Sequence, residues 1–113
     1  MRTEKVCDLL KSIVGEQYLY ADPEKMYNYA KDFTVAGLRM PCAVVIPNTV
    51  EEVSAIAKIC NDNRVSLTVR GGGTGVSGGS LTYDNGIILS LERLNRILSI
   101  NKIDRIVIAE AGV

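Results

Sequence analysis

The chain has 113 residues, with 13 lysines and arginines, 13 aspartates and glutamates, and no histidine. A formal net charge of zero argues against electrostatic binding to nucleic acid or to a membrane surface. The absence of histidine excludes a Ser-His-Asp or Cys-His centre, a histidine metal site and a histidyl-linked cofactor within these residues.

The first forty residues are predicted to form a helical arm. Thr3 is the expected N-cap of a first helix that Gly15 ends, and Asp22-Pro23 predicts the cap and first residue of a second, short helix. The apolar stripe of the first helix consists of Val6, Leu9, Leu10, Ile13 and Val14. The tyrosines at positions 18, 20, 27 and 29 are expected to pack this arm on a neighbouring surface, with a binding role as the alternative.

A strand, a helix and a second strand are predicted in the middle of the chain. Residues 43–46 form a continuous apolar run closed by Pro47, as expected of a strand buried on both faces. Thr49 and Glu52 have the spacing of a capping box, and residues 65–69 alternate between apolar and polar side chains. The apolar face of the helix would consist of Val50, Val53, Ile56, Ala57 and Cys60. This order indicates a right-handed, parallel βαβ unit.

Shorter elements are predicted in the last third of the chain. Residues 84–86 are a turn signal before a third strand at 87–91, and Leu91, Leu94 and Ile97 have the spacing of one helical turn. Two further short strands are predicted at residues 98–100 and 105–109. The sequence then stops in an apolar, strand-like run, so we expect it to be the first part of a larger domain.

The cysteines and the N-terminus indicate a cytoplasmic protein. Cys7, Cys42 and Cys60 are odd in number and lack CxxC spacing, which is typical of small buried thiols in a reducing compartment. No cation is adjacent to any of them in sequence, so no catalytic thiol is expected. The charged N-terminus does not resemble a signal peptide, and no window approaches the roughly 18 apolar residues of a membrane span.

Six of the ten glycines fall between Gly71 and Gly79, directly after the second predicted strand. Ligands of open α/β sheets bind beyond the carboxyl ends of parallel strands, so this loop is well placed for a site. Consecutive glycines permit close approach of the backbone to a ligand, and successive N–H groups can form an anion-binding concavity. Thr74 and Ser77 add hydroxyl groups, and Arg70 could add positive charge.

Four interpretations of the glycine loop compete. Residues 73–78 satisfy GxGxxG, but no helical stripe follows, as a Rossmann fingerprint requires. Residues 73–80 nearly satisfy the P-loop pattern, but Gly79 stands where its lysine should be. A flexible linker would rarely follow a buried strand directly. A loop that wraps a dinucleotide pyrophosphate with backbone donors fits best.

The motifs together resemble a known family. The motifs lie at residues 43–47, 49–53 and 70–79, followed by 86–91, 95–97 and 110–113. In this order they are similar to the FAD-binding domain of PCMH-type flavoproteins of the vanillyl-alcohol oxidase superfamily. Within it, the chain is most similar to the branch of glycolate oxidase subunit GlcD and D-lactate dehydrogenase. The resemblance covers about residues 29–113.

The resemblance implies a fold and a cofactor. The fold would be α+β, with residues 1–40 as the arm and residues 41–113 as an incomplete FAD-binding domain. Its first subdomain would be a short parallel sheet with a βαβ unit packed by helices, truncated where the second subdomain starts. Because Thr74 stands where covalent members carry histidine, FAD should be bound non-covalently. The implied cofactor-binding residues are Pro47, Arg70, Gly71, Gly72, Gly73, Thr74, Gly75, Ser77, Gly78 and Gly79.

The resemblance also implies a function for the parent protein, the oxidation of a 2-hydroxy acid by transfer of hydride to the flavin. No catalytic or metal-binding residue is assigned to this chain, because those groups belong to a later cap domain. The expected partners are the remainder of the parent, with its second FAD subdomain and cap domain, and the small 2-hydroxy-acid substrate. We expect the fragment to have no turnover and to self-associate through residues 105–113 or the strand at 98–100. The alternative is a self-contained module that binds a nucleotide or another anion.

Overall fold

The computed structural model describes residues 2–30, 40–72 and 86–113. The described helices are α1 (Arg2–Val14), α2 (Pro23–Met26) and α3 (Val50–Asp62), with 3₁₀ turns at Glu16–Tyr18 and Tyr27–Tyr29. The described strands are β1 (Leu19–Tyr20), β2 (Ala43–Val45), β3 (Leu67–Arg70), β4 (Ile87–Ser90), β5 (Ile97–Asn101) and β6 (Ile106–Ala109).

Strands β1 to β4 form one sheet in the order β1-β2-β4-β3. Strands β2 and β3 both pair parallel with β4, so the predicted parallel arrangement is confirmed. Ile88 is opposite both Val44 and Thr68, which places β4 between the two strands of the predicted βαβ unit. The connection from β2 to β3, which contains α3, therefore crosses over the intervening strand β4. β1 adds to the sheet as an antiparallel strand beside β2.

Both faces of the two central strands are covered, which explains their continuous apolar sequences. One face packs against α1 and α3, with a core that contains Val6, Leu10, Val45, Ile56, Cys60, Ile87 and Leu89. The other face carries Val44, Ile46 and Ile88, packed with Met26 and with partly buried Tyr18, Tyr20 and Tyr29. The predicted packing role of the tyrosines is thus confirmed for these three, while Tyr27 is exposed.

The caps of α2 and α3 follow the sequence prediction. Asp22 precedes Pro23 at the start of α2, and its side chain accepts a hydrogen bond from the Glu24 N–H. Thr49 Oγ1 accepts from the Glu52 N–H at 3.1 Å. The Glu52 carboxylate accepts in return from the N–H of Asn48, one residue before the cap, at 3.2 Å.

Three details of the predicted helices are wrong. Helix α1 begins at Arg2, so Thr3 does not precede it as an N-cap. On α3, Val50 is 70% exposed and Ala57 is also exposed. The buried side chains of α3 are Ile56 and Cys60, four residues apart, and Ala57 is rotated away from them by the helical repeat.

The last two described strands form a separate antiparallel hairpin. The chain reaches this hairpin through a turn in which the Leu94 N–H donates to the Leu91 carbonyl. The predicted helical turn is therefore a single hydrogen-bonded turn, and Ile97 belongs to β5. The register shifts between Ile97 and Ser99. Every residue of β5 and β6 is exposed.

Candidate functional site

The carboxyl ends of three parallel strands meet at one edge of the sheet. Arg70, the last residue of β3, lies opposite Ser90, the last residue of β4, and Val45 at the end of β2 lies opposite Leu89. Pro47 follows β2 by two residues and is fully buried. The sheet therefore presents the edge at which open α/β sheets bind ligands.

The glycine loop leaves from this edge. Gly71 and Gly72 are exposed, and a Cβ added to Gly71 would meet no heavy atom within 4 Å. The other predicted loop residues, Gly73, Thr74, Gly75, Ser77, Gly78 and Gly79, lie outside the described residues, as do the first two residues of the turn predicted at 84–86. The structure thus places the start of the glycine loop, Gly71 and Gly72, directly after β3.

Arg70 ties the N-terminal arm to the end of β3. Its side chain is 8% exposed, and its guanidinium donates to the carbonyls of Asn28 at 3.0 Å and Tyr29 at 3.3 Å. The guanidinium carbon also lies 5.9 Å from the centroid of the Tyr29 ring. These contacts hold the positive charge one residue before the first glycine.

A carboxylate missed by the sequence analysis links the same elements. Glu92 Oε1 accepts from the Tyr29 hydroxyl at 2.5 Å and from Ser90 Oγ at 2.8 Å. Burial, and then the hydrogen bond and charge of Glu92, raise the pKa of Tyr29 well above its usual range, so the phenol remains a donor. The only sequence signal for Glu92 is its position two residues after the end of the buried strand β4.

Arg93, also missed, contacts Ile46, the residue before Pro47. Its Nη1 donates to the Ile46 carbonyl at 3.1 Å, and its guanidinium carbon lies 3.5 Å from the centroid of the Tyr18 ring. Stacking on an aromatic face suits the planar guanidinium and leaves some of its donors available. The edge therefore combines the ends of three strands, the start of a glycine loop and two fixed guanidinium groups.

Residues 2–30, 40–72 and 86–113 contain no group of three or more Cys, Asp or Glu side chains arranged to hold a metal ion. Within the same ranges, no helix is long and apolar enough to cross a membrane.

A sequence comparison decides the family. The profile of a family described as FAD binding domain matches residues 41–113. The chain belongs to this family. FAD is therefore its cofactor, and residues 41–113 belong to the domain that binds it.

Curated relatives extend the comparison to almost the whole chain. D-2-hydroxyglutarate dehydrogenase of Xanthomonas citri pv. viticola is 36% identical over 104 residues, which cover 92% of this chain and 22% of that protein. Glycolate oxidase subunit GlcD of Escherichia coli K12 is 36% identical over 112 residues, 99% of this chain and 22% of the relative. The chain thus spans less than a quarter of the length of these relatives.

Solved enzyme structures share the fold. The 4-ethylphenol oxidase of Gulosibacter chungangensis superposes with a TM-score of 0.86 at 26% identity, over 99% of this chain and 22% of that structure. p-Cresol methylhydroxylase superposes with a TM-score of 0.77 at 23% identity, over 88% of this chain and 20% of that structure. The predicted fold, a short parallel sheet packed by helices, is confirmed.

The described residues fit FAD at the sheet edge. A dinucleotide pyrophosphate requires close approach to backbone N–H groups, and the open space around the Gly71 Cβ position permits it. The guanidinium groups of Arg70 and Arg93 bring positive charge to the same edge, which the carboxylate of Glu92 partly offsets.

Proposed function

We propose that the chain is the FAD-binding part of a flavin-dependent 2-hydroxy-acid dehydrogenase of the glycolate or D-lactate type. The observation that carries the proposal is the glycine loop at the carboxyl edge of a parallel sheet, in a chain of the FAD binding domain family. Relatives at 33–36% identity support the substrate class, since they are named D-2-hydroxyglutarate dehydrogenase, glycolate oxidase subunit GlcD and probable D-lactate dehydrogenase.

Within this proposal, backbone N–H groups of the loop hold the FAD pyrophosphate. The contributing glycines are Gly71, Gly72, Gly73, Gly75, Gly78 and Gly79, with hydroxyl donors from Thr74 and Ser77. Arg70 positions the start of the loop through its two carbonyl contacts. Pro47, fully buried just beyond the end of β2, contributes to the site by packing. Binding is non-covalent at the loop, because Thr74 cannot form a histidyl link.

When bound, FAD supplies the electron acceptor for oxidation of the substrate carbon. The residues of this chain bind and orient the cofactor and exclude water from its pyrophosphate. The base that removes the substrate hydroxyl proton, and the groups that bind the substrate carboxylate, are assigned to the part of the parent beyond this chain. The fragment alone therefore has no turnover.

The proposed organisation separates an arm, residues 1–40, from the first part of the FAD-binding domain, residues 41–113. The matched family profile begins at residue 41, which supports this division. The remainder of the parent is the proposed partner, because the relatives are more than four times as long as the matched region. The proposed location is the cytoplasm, because all three cysteines are free thiols.

The direct test is substitution within the glycine loop of the longer parent protein. Gly73→Val should abolish retention of FAD through purification, because a branched side chain blocks close approach of the backbone to the pyrophosphate. Ile103→Val, which lies outside the glycine loop and exchanges one aliphatic side chain for another, is the control and should retain FAD. Flavin absorbance per protein measures both. A fully flavinated Gly73→Val variant would refute the proposed loop.

Titration of the 113-residue chain with FAD separates the fragment proposal from its alternative. Weak binding that becomes tight in the longer parent supports a fragment that holds part of the site. Tight, stoichiometric binding by the chain alone, with a shifted flavin spectrum, would instead support a self-contained nucleotide-binding module.

A further inference from the structure

Tyr29 of the N-terminal arm contacts the ends of two strands at the edge from which the glycine loop leaves. It is the last residue of the 3₁₀ turn Tyr27–Tyr29 and lies outside the matched family profile, which begins at residue 41. Its carbonyl accepts a hydrogen bond from Arg70 Nη1 at 3.3 Å, and its hydroxyl donates to Glu92 Oε1 at 2.5 Å. One residue of the arm therefore contacts a cation at the end of β3 and an anion just beyond β4.

The sheet brings these two charged residues close to each other. Arg70 lies opposite Ser90, and the Leu91 N–H donates to the Arg70 carbonyl at 3.0 Å. Glu92 follows Leu91 directly, and its Oε1 also accepts from Ser90 Oγ at 2.8 Å. The guanidinium carbon of Arg70 lies 5.9 Å from the centroid of the Tyr29 ring. Both charged groups therefore lie against the side chain of the same tyrosine.

The opposite charges of Arg70 and Glu92 are nevertheless not paired. Among the residues that the structure describes, no carboxylate forms an ion pair with Arg70. Its guanidinium donates instead to two neutral acceptors, the carbonyls of Asn28 and Tyr29, although its side chain is only 8% exposed. A buried charge is costly unless an opposite charge compensates it. The described part of the edge thus holds an uncompensated cation one residue before the glycine loop.

We propose that Tyr29 is a positioning residue of the FAD site. By holding Arg70 through its carbonyl and Glu92 through its hydroxyl, it keeps the two groups from pairing and leaves the charge of Arg70 available to the anionic pyrophosphate. This inference rests on the proposed function. It adds that the arm, which the family profile does not include, controls the affinity for the cofactor.

Loss of the Tyr29 hydroxyl would leave Glu92 with one side-chain donor, Ser90 Oγ. A carboxylate is a stronger acceptor for a guanidinium than a neutral carbonyl is, because both partners are ionised. Pairing of Glu92 with Arg70 would cancel the positive charge and bring a carboxylate to the start of the loop. Both changes disfavour an anionic ligand, although every residue of the loop itself is intact.

The test measures the dissociation constant for FAD in the longer parent protein after removal of its flavin, from the change in flavin fluorescence. Tyr29→Phe removes the hydroxyl but retains the ring, and it should raise the Kd about tenfold. Tyr20→Phe is the matched control. Tyr20 packs in the same cluster, with its ring centroid 6.1 Å from that of Tyr29, and its hydroxyl has no hydrogen-bond partner among the described residues. Tyr20→Phe should bind FAD like the original protein.

A second substitution separates control of the charges from simple packing. Glu92→Gln retains an acceptor oxygen for the Tyr29 hydroxyl but has no charge to pair with Arg70. Glu92→Gln alone should therefore not weaken FAD binding. Combined with Tyr29→Phe, it should restore the Kd to within about threefold of the original, because the two effects are coupled through one contact. A hydroxyl with only a structural role would leave the double variant at least as weak as Tyr29→Phe.

The outcomes separate this inference from the proposed function. If Gly73→Val loses FAD while Tyr29→Phe keeps the original Kd, the loop stands and the positioning role of Tyr29 is wrong. The same conclusion follows if Glu92→Gln fails to rescue Tyr29→Phe, or if Tyr20→Phe weakens binding as much as Tyr29→Phe does. If Gly73→Val retains FAD, the proposed loop is wrong and this inference is overturned with it.

Discussion

At the scale of single residues, Arg64 is in a backbone conformation that favours glycine. Helix α3 ends with the Val65 N–H donating to the Cys60 carbonyl and the Arg64 N–H donating to the Asn61 carbonyl, which is a Schellman motif. Arg64 occupies its left-handed position with φ 56°. We expect Arg64→Gly to raise the free energy of unfolding by about 1 kcal/mol, because glycine adopts this conformation without the steric cost of a Cβ.

Arg64→Ala is the matched control for this prediction. Alanine removes the same long side chain but retains the Cβ, so it should give no comparable gain. Urea unfolding followed by circular dichroism measures both variants. Equal stabilisation by the two substitutions would show that loss of the arginine side chain, and not the backbone conformation, is responsible.

Gly112 is constrained by close packing instead of by its dihedral angles. Its N–H donates to the Leu94 carbonyl at 2.7 Å, and a Cβ at this position would lie 1.8 Å from the carbonyl oxygen of Leu91. Because the obstacle is backbone, Gly112→Ala should lower the free energy of unfolding by about 1–3 kcal/mol. Gly71→Ala, whose Cβ would meet open space, should cost less. A thermal melt of each chain makes the comparison, and equal losses would exclude packing as the cause.

At the scale of elements, one charged pair joins the two ends of the β5–β6 hairpin. Glu110 Oε1 accepts from the Arg96 backbone N–H at 2.9 Å and from Arg96 Nε at 2.6 Å, and Glu110 Oε2 accepts from Arg96 Nη2 at 2.9 Å. The Glu110 N–H donates to the Arg96 carbonyl. The hydrogen bonds from Arg96 hold the pKa of Glu110 below its ordinary value.

This pair makes hairpin stability depend on pH in a defined direction. A carboxylate whose pKa is lowered by folding stabilises the folded state above its ordinary pKa, and that contribution is lost as the pH falls through the folded pKa. Unfolding midpoints of the original chain and of Glu110→Gln should therefore differ at pH 7 and converge in acid. Glu16→Gln, an exposed carboxylate outside the hairpin, should follow the original chain. A pH-independent difference for Glu110→Gln would contradict the prediction.

The elements also show which parts of the fold the sequence can predict. The caps at Asp22 and Thr49 depend on nearby residues, and so does the continuous apolar run of β2. All three are therefore predictable from the local sequence. The insertion of β4 between β2 and β3 depends on pairings between distant segments, which local patterns do not specify. The side chains of Glu92 and Arg93 were missed for the same reason, because their partners Tyr29 and Ile46 are 63 and 47 residues away.

At the scale of the whole molecule, apolar surface is concentrated on the hairpin. Ile106, Val107 and Ile108 are each more than half exposed, and so are Ile97, Leu98 and Ile100 on the paired strand. Folded monomers rarely expose contiguous apolar surface of this kind, and strands with unpaired edges are templates for association. In the proposed parent, the remainder of the protein covers this hairpin. For the chain alone, we expect association between copies through β6 or β5.

Sedimentation velocity over a range of concentrations tests this expectation, with Ile108→Lys as the disrupting variant. Burial of an isoleucine contributes about 1.5–3 kcal/mol, so replacing it with a charged side chain should weaken association by roughly tenfold or more. Ile103→Lys adds the same charge at the exposed tip of the hairpin, outside both strands, and should associate like the original chain. If the original chain sediments as a monomer at every concentration, the hairpin does not mediate association. If both lysine variants dissociate equally, added charge and not the strand surface explains the effect.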